Sequence, residues 1–285
     1  MLKPTTTTRV IIAVLITLLL FYLVKVNSLM APVAFVFDFD ETLGNFIQFS
    51  ELCTALETMY NMKMGTDEYV YLLNIFPRYL RQGILPILKM LATYRKKAKC
   101  KIVIYTNNQG GRKWVRDVST AIGNLIGEPK LFDKIIYAYK FDMGGPLSDT
   151  KGESCRTSHD KRHDDFLACT RYSANTRIVF VDDMIHTKMV HPLVSYVHIG
   201  EYRWNYDRDY IVHMCKQHAV IPIHTEHGAT LSRSLIYRKA STNEQQRHYK
   251  DVGTLLHRFI ETYINVYKEN KSVQPLAGGM MTRMA

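Results

Sequence analysis

Two aspartates separated by one residue, Asp38-Phe39-Asp40, follow the apolar run Val33-Ala34-Phe35-Val36-Phe37 and precede Glu41-Thr42. Such a run reads as a strand buried on both faces. Both carboxylates then fall at its carboxyl end, where open α/β sheets bind their ligands. An aspartate there can attack phosphorus and form an aspartyl phosphate. Taken alone, Asp-x-Asp-x-Thr also fits a strand followed by an Asp-rich turn or helix cap. Two further segments bear on the choice. Lys101-Ile102-Val103-Ile104-Tyr105 is a second strand pattern and ends in Thr106-Asn107-Asn108-Gln109-Gly110-Gly111. A hydroxyl followed by amides and glycines suits a phosphate cradle built from a side chain and backbone N–H groups. Arg177-Ile178-Val179-Phe180-Val181 is a third such strand and ends in Asp182-Asp183. Adjacent acids at a strand end are costly unless a cation neutralises them.

These segments resemble the motifs of the haloacid-dehalogenase (HAD) superfamily of phosphohydrolases. The form Asp38-Phe39-Asp40-Glu41-Thr42-Leu43, with the later hydrophobic strand and Asp-Asp pair, is most similar to the NLI-interacting-factor-like phosphatases. That branch includes the phosphatases of the RNA polymerase II C-terminal domain. The resemblance spans roughly residues 33 to 200 and is carried by the motif islands. It implies an α/β fold with a doubly wound, mostly parallel sheet. It also implies Asp38 as nucleophile, and Asp40 as the general acid that protonates the leaving oxygen and then activates water. Thr106 and the Asn107 backbone would bind the phosphoryl oxygens. Asp182 and Asp183 would hold Mg²⁺ with Asp38 and the Asp40 carbonyl. The chemistry of the residues agrees: Mg²⁺ takes oxygen ligands, and phosphoryl transfer needs charge neutralisation and alignment.

The resembled family also uses a lysine that bridges nucleophile and phosphate. Lys140, Lys151 and Lys161 are the candidates upstream of Asp182, and Lys161 is favoured. It lies in Ser158-His159-Asp160-Lys161-Arg162-His163-Asp164-Asp165-Phe166-Leu167, which reads as the start of the helix before the third strand. Its spacing to Asp182 is longer than in the polymerase-directed phosphatases. Arg162 is the substitute, since either cation can sit on a phosphate.

The elements that must position these groups follow from periodicity and punctuation. Residues 1–9 form a tail, with Lys3 and Arg9 before the apolar stretch Val10 to Val24. Residues 10–29 are predicted to be a transmembrane or signal-anchor helix; the competing reading is a cleaved signal peptide. Basic residues ahead of the stretch would keep the N-terminus inside. Met30 is a potential alternative start. The catalytic domain is expected over 30–205, with a small helical insert at 44–82. Phe49, Leu52, Leu56 and Met59 recur there at helical spacing. A second helix is expected over Asp67 to Arg81 and a crossover helix over Leu85 to Tyr94. The aromatics Tyr69, Tyr71, Phe76 and Tyr79 are expected as packing residues. Lys134 to Tyr139 and Ser195 to Ile199 read as further strands, and the polar, glycine-containing 141–160 as a flap. A helical extension over 206–270 and a disordered tail over 271–285 complete the chain.

Five cysteines, widely spaced and without a Cys-x-x-Cys pair, argue against a zinc ribbon, a redox pair or a disulfide scaffold. They fit a reducing compartment. The histidines show no His-Glu-x-x-His pattern, and the segment around His159 and His163 reads as a solvated helix start. The net charge of +11 favours anionic partners: phosphoproteins, nucleic acid or an acidic membrane face. The cations are spread along the chain rather than grouped. The expectation is therefore a membrane-tethered, Mg²⁺-dependent phosphomonoester hydrolase acting on a phosphoprotein at serine or threonine. A polynucleotide or nucleotide phosphatase and an inactive phosphoprotein-binding module are the alternatives.

Overall fold

The computed structural model describes residues 32–97, 100–140, 152–222, 226–269 and 281–284. Three apolar runs become the central strands, β1 (Val33–Phe37), β2 (Cys100–Tyr105) and β4 (Arg177–Asp182). With β3 (Lys134–Ile136) and β5 (Val194–Ile199) they form a five-strand, all-parallel sheet in the order β3-β2-β1-β4-β5. A short edge strand, β6 (Met281–Met284), lies parallel beside β5. The tail expected to be disordered thus contributes a strand, because β5 presents an open row of backbone groups that pairing satisfies. The rest of that tail, and the predicted anchor at 10–29, lie outside the described residues. Among the described residues, no helix is long and apolar enough to cross a membrane.

Alternation along the strands splits the core into two faces. Phe35, Phe37, Ile102, Ile104, Val179 and Val181 point to one side, and Ala34, Val36, Val103, Ile178 and Phe180 to the other. The first face is covered by α3 (Ile84–Lys97), α4 (Gly111–Leu125) and α8 (Asn243–Glu269). The second is covered by α5 (His163–Thr170), through Phe166 and Cys169, and by the turn Thr187–Met189. The sheet is therefore wound on both faces, unequally among the described residues.

The insert holds α1 (Phe46–Tyr60), α2 (Thr66–Ile75) and a single turn of 3₁₀ helix at Pro77–Tyr79. The helix expected to reach Arg81 ends at Ile75, because Pro77 disfavours the helical region at Phe76 before it. The insert does not stand apart as a cap. Phe46 stacks on Phe39 at 4.3 Å between ring centres, and Trp114 of α4 meets Phe49 and Tyr69 at 5.7 and 5.3 Å. Of the four aromatics expected to pack, Tyr69, Phe76 and Tyr79 are buried, but Tyr71 is exposed. The C-terminal extension carries α6 (Arg208–Gln217), α7 (His227–Ser234) and α8. It shares the same core, since Tyr263 of α8 lies edge-on to Phe35 of β1.

Candidate functional site

β1 and β4 are neighbours, and Asp38 N–H continues their ladder by donating to Val181 O at 2.9 Å. That register brings the Asp-x-Asp and Asp-Asp pairs to one strand end, with Thr106 one strand over at the end of β2. The chain runs from β1 to β2 on one side and returns to β4 on the other, so these ends form the switch point of the sheet. The turn after β1 is tight. Glu41 adopts a left-handed φ of 56° and donates its N–H to Gly44 O. A Cβ on Gly44 would lie 2.3 Å from Tyr79 O, so only glycine permits that approach. A non-glycine residue held left-handed beside two acids is strain of the kind that concentrates at functional sites.

Lys161 occupies the centre. Its Nζ donates to Asp38 Oδ1 at 2.5 Å and to Asp182 Oδ2 at 2.7 Å, and the residue is 2% exposed. The lysine precedes α5 rather than beginning it. Arg162 is extended and the helix starts at His163. The loop that delivers Lys161 is tied on three sides. Arg162 N–H donates to Tyr105 Oη at 3.1 Å. The buried Arg156 donates to the carbonyls of Thr106, Tyr137 and His159, and its guanidinium lies over the Tyr105 ring. A disulfide joins Cys155 to Cys169. The reading against a disulfide scaffold does not extend to a single bridge: an odd total of cysteines excludes complete pairing, not one bond. The loop folds back on α5 and brings the two Cα atoms to 5.1 Å. Of the other candidates, Lys140 lies over the Tyr139 ring, and Lys151 is outside the described residues.

Asp38, Asp182 and Asp183 each offer a carboxylate oxygen, and these atoms lie within 4.8 Å of one another. All three residues are buried. Burial pulls the Lys161 ammonium down, but the Asp182 and Asp38 charges outweigh it and leave its pKa raised. Burial pushes Asp182 up against the opposing pull of Lys161, and Asp183 rises for the same reason, helped by Asp38. One ammonium among three acids leaves negative charge unbalanced, and the donors are hard oxygens. That set fits a divalent cation such as Mg²⁺. A second trio, Glu41, Asp183 and Glu201, already has a cation: Arg203 bonds Glu41 at 2.8 Å and Glu201 at 3.0 Å.

Asp40 differs from its neighbours. Burial and the Asp38 charge push its carboxyl up to about 7, opposed by a hydrogen bond from Asn108 Nδ2 to Oδ2 at 2.8 Å. Its side chain is not in the acidic trio, and its carbonyl accepts the Thr42 N–H at 2.6 Å. Thr106 is buried, spends its N–H on Ile136 O, and accepts the Asn108 N–H on Oγ1. Asn107 lies beside it with Oδ1 buried and unpartnered.

Sequence reasoning gave no role to several residues here. Thr42 donates to Asp183 Oδ1 at 2.8 Å and accepts the Asp183 N–H at 3.1 Å, locking the two loops together. It was visible as the last residue of Asp-x-Asp-x-Thr. Arg156 carried no signal, and Asn108 stood in the Thr106–Gly111 segment without a role of its own. His186 approaches Asp182 at 3.7 Å. A cleft of about 710 Å³ lined by Tyr71, Arg78, Trp204, Tyr206 and Tyr210 lies apart, and none of Asp38, Asp40, Asp182 and Asp183 lines it.

No family model, curated protein or solved structure matches this chain.

Proposed function

We propose that the chain is a HAD-type phosphatase that hydrolyses a phosphomonoester through an aspartyl phosphate on Asp38. The observation that carries this reading is Lys161, bonded at once to Asp38 and Asp182 in the interior. A structural ion pair needs one acid. A cation shared by two acids, with a third beside them, suits a site built to receive a phosphoryl group and its counter-ion.

In the proposed reaction, one Asp38 oxygen attacks phosphorus while Lys161 holds the other. The phosphorus–ester oxygen bond breaks, and a neutral Asp40 gives its proton to the departing oxygen. A carboxyl pushed up to about 7 holds that proton near neutral pH. Asp40, now ionised, takes a proton from water, whose oxygen attacks phosphorus and displaces the Asp38 carboxylate. Thr106 and the Asn107 backbone orient the phosphoryl oxygens. Mg²⁺ held by Asp38, Asp182, Asp183 and the Asp40 carbonyl would neutralise charge on the phosphoryl group. A phosphoserine or phosphothreonine protein is the proposed substrate. The apolar stretch at 10–29 is the proposed membrane anchor.

The test is to mix the chain with Mg²⁺ and a phosphoserine peptide, quench in acid, and map the protein by mass. The reading expects one phosphoryl group on the peptide that contains Asp38, and none in Asp38→Asn. Phosphate release without that adduct in a rapid quench, or the adduct on another residue, contradicts it. Salt-sensitive turnover of phosphorylated oligonucleotides, in preference to peptides, would point to the nucleic-acid alternative.

A further inference from the structure

Asn108 touches three parts of the site. Its backbone N–H donates to Thr106 Oγ1 at 2.9 Å. Its side-chain Oδ1 accepts the N–H of Gly110, the residue before α4, at 2.8 Å. Its Nδ2 donates to Asp40 Oδ2 at 2.8 Å. The Gly110 contact fixes the orientation of the amide. A backbone N–H can only donate, so the atom facing it is the carbonyl oxygen, and the NH₂ group must face Asp40. The loop is also tight: a Cβ on Gly110 would lie 3.0 Å from Asn108 Oδ1.

An amide NH₂ is a donor only. It therefore holds Asp40 through Oδ2 and leaves Oδ1 as the oxygen for proton exchange. We propose that Asn108 is a positioning residue for proton transfer: anchored to the start of α4, it fixes the rotation of the Asp40 carboxyl. It thereby dictates which oxygen protonates the leaving group and later takes a proton from water. This rests on the phosphatase reading above. It adds a residue whose side chain holds that proton carrier while its backbone N–H holds the phosphate-binding Thr106.

Two substitutions separate positioning from mere loop structure. Asn108→Asp keeps an acceptor for the Gly110 N–H but loses the donor to Asp40; Asn108→Ala loses both. For wild type and both variants, kcat/KM is measured over a series of phosphate monoesters, from 4-nitrophenyl phosphate to simple alkyl phosphates. This parameter reports formation of the aspartyl phosphate, so hydrolysis of that intermediate, common to all substrates, drops out. A nitrophenolate leaves without help, whereas an alkoxide needs a proton.

The expected result is a loss of roughly 100-fold on alkyl phosphates in both variants, the lower range of a general-acid contribution. The nitrophenyl ester should stay within about fivefold. Asn108→Asp should melt near wild type and Asn108→Ala lower. An equal loss across the series, or a wild-type leaving-group dependence in Asn108→Asp, overturns the assignment while leaving the phosphatase reading standing. A wild-type protein with no Asp38-dependent turnover overturns both.

Discussion

Lys161 and Arg81 are both buried cations beside the loop that follows β1, and they face opposite kinds of neighbour. Arg81 is 2% exposed and donates to the main-chain carbonyls of Thr42, Glu41 and Gly200, at 2.7, 2.5 and 2.6 Å. Its partners are neutral, and burial alone pulls its pKa down to about 10 despite nearby acids. Lys161 faces the Asp38 and Asp182 carboxylates, and its pKa is raised. Arg81 satisfies backbone groups that a tight turn would otherwise leave unpaired. Lys161 sits among more negative charge than it can balance. A cation among carbonyls completes the fold, while one shared by several acids leaves a charge deficit that a ligand can fill.

The comparison is sharpest where activity and stability separate. Asp38→Asn should remove phosphate release by roughly four orders of magnitude or more, as loss of a nucleophile does, with the melting temperature little changed. Lys161→Met should lower kcat by roughly 10²–10³, the size of one lost charge-stabilising donor. Its stability should fall at neutral pH and recover in acid, where the stranded Asp182 can protonate. Arg81→Met should show the reverse pattern. It should lose several kcal/mol in denaturant melts at neutral and acid pH alike, from about 1–3 kcal/mol for each buried carbonyl left unpaired. A pH-dependent Arg81→Met, or a Lys161→Met as active as wild type, breaks the contrast.

Removing the disulfide with Cys155→Ser and Cys169→Ser should cost about 3 kcal/mol, from a loop of about fifteen residues. Activity should also drop, because that loop delivers Lys161. Unchanged melting would show the bridge to be dispensable to the Lys161 loop.

The smallest effect is the pH dependence of the metal-free protein. A carboxyl whose folded pKa lies above its unfolded value favours the folded state at low pH. That contribution is lost as pH rises through the folded pKa. For Asp40 the window runs from about 3.8 to about 7. His186, pushed down to about 4 by burial and Lys161, acts in the opposite sense. The signature is therefore a difference: Asp40→Asn should decline less in stability than wild type between pH 4 and pH 7. Mg²⁺ should raise the melting temperature more at the upper end of that range. Parallel pH profiles for the two proteins would contradict the assignment.

The central strands were legible because a parallel sheet buried on both faces demands continuous apolar runs, and Val33–Phe37, Cys100–Tyr105 and Arg177–Asp182 supply them. Their terminal residues were legible because polar groups just past such runs stand out. Lys161 was reached through resemblance, and the structure places it between two of the aspartates. Arg81 and Arg156 were not legible, because their partners are backbone carbonyls, contacts that leave no periodic or compositional trace. Asn108 was legible as part of the Thr106–Gly111 segment, but not its bond to Asp40, far away in sequence. The Cys155–Cys169 bridge was hidden because residue counts speak to totals, not to which loop folds back on which helix. Strand β6 was hidden because its pairing depends on an open edge far away in sequence.

The most direct test of the central claim is phosphate release from 4-nitrophenyl phosphate by the full-length chain. It is run with Mg²⁺ or with chelator, for wild type and Asp38→Asn. The account expects turnover that requires Mg²⁺ and disappears in Asp38→Asn. Turnover that survives in Asp38→Asn, or its absence from folded wild-type protein that still binds Mg²⁺, would contradict it.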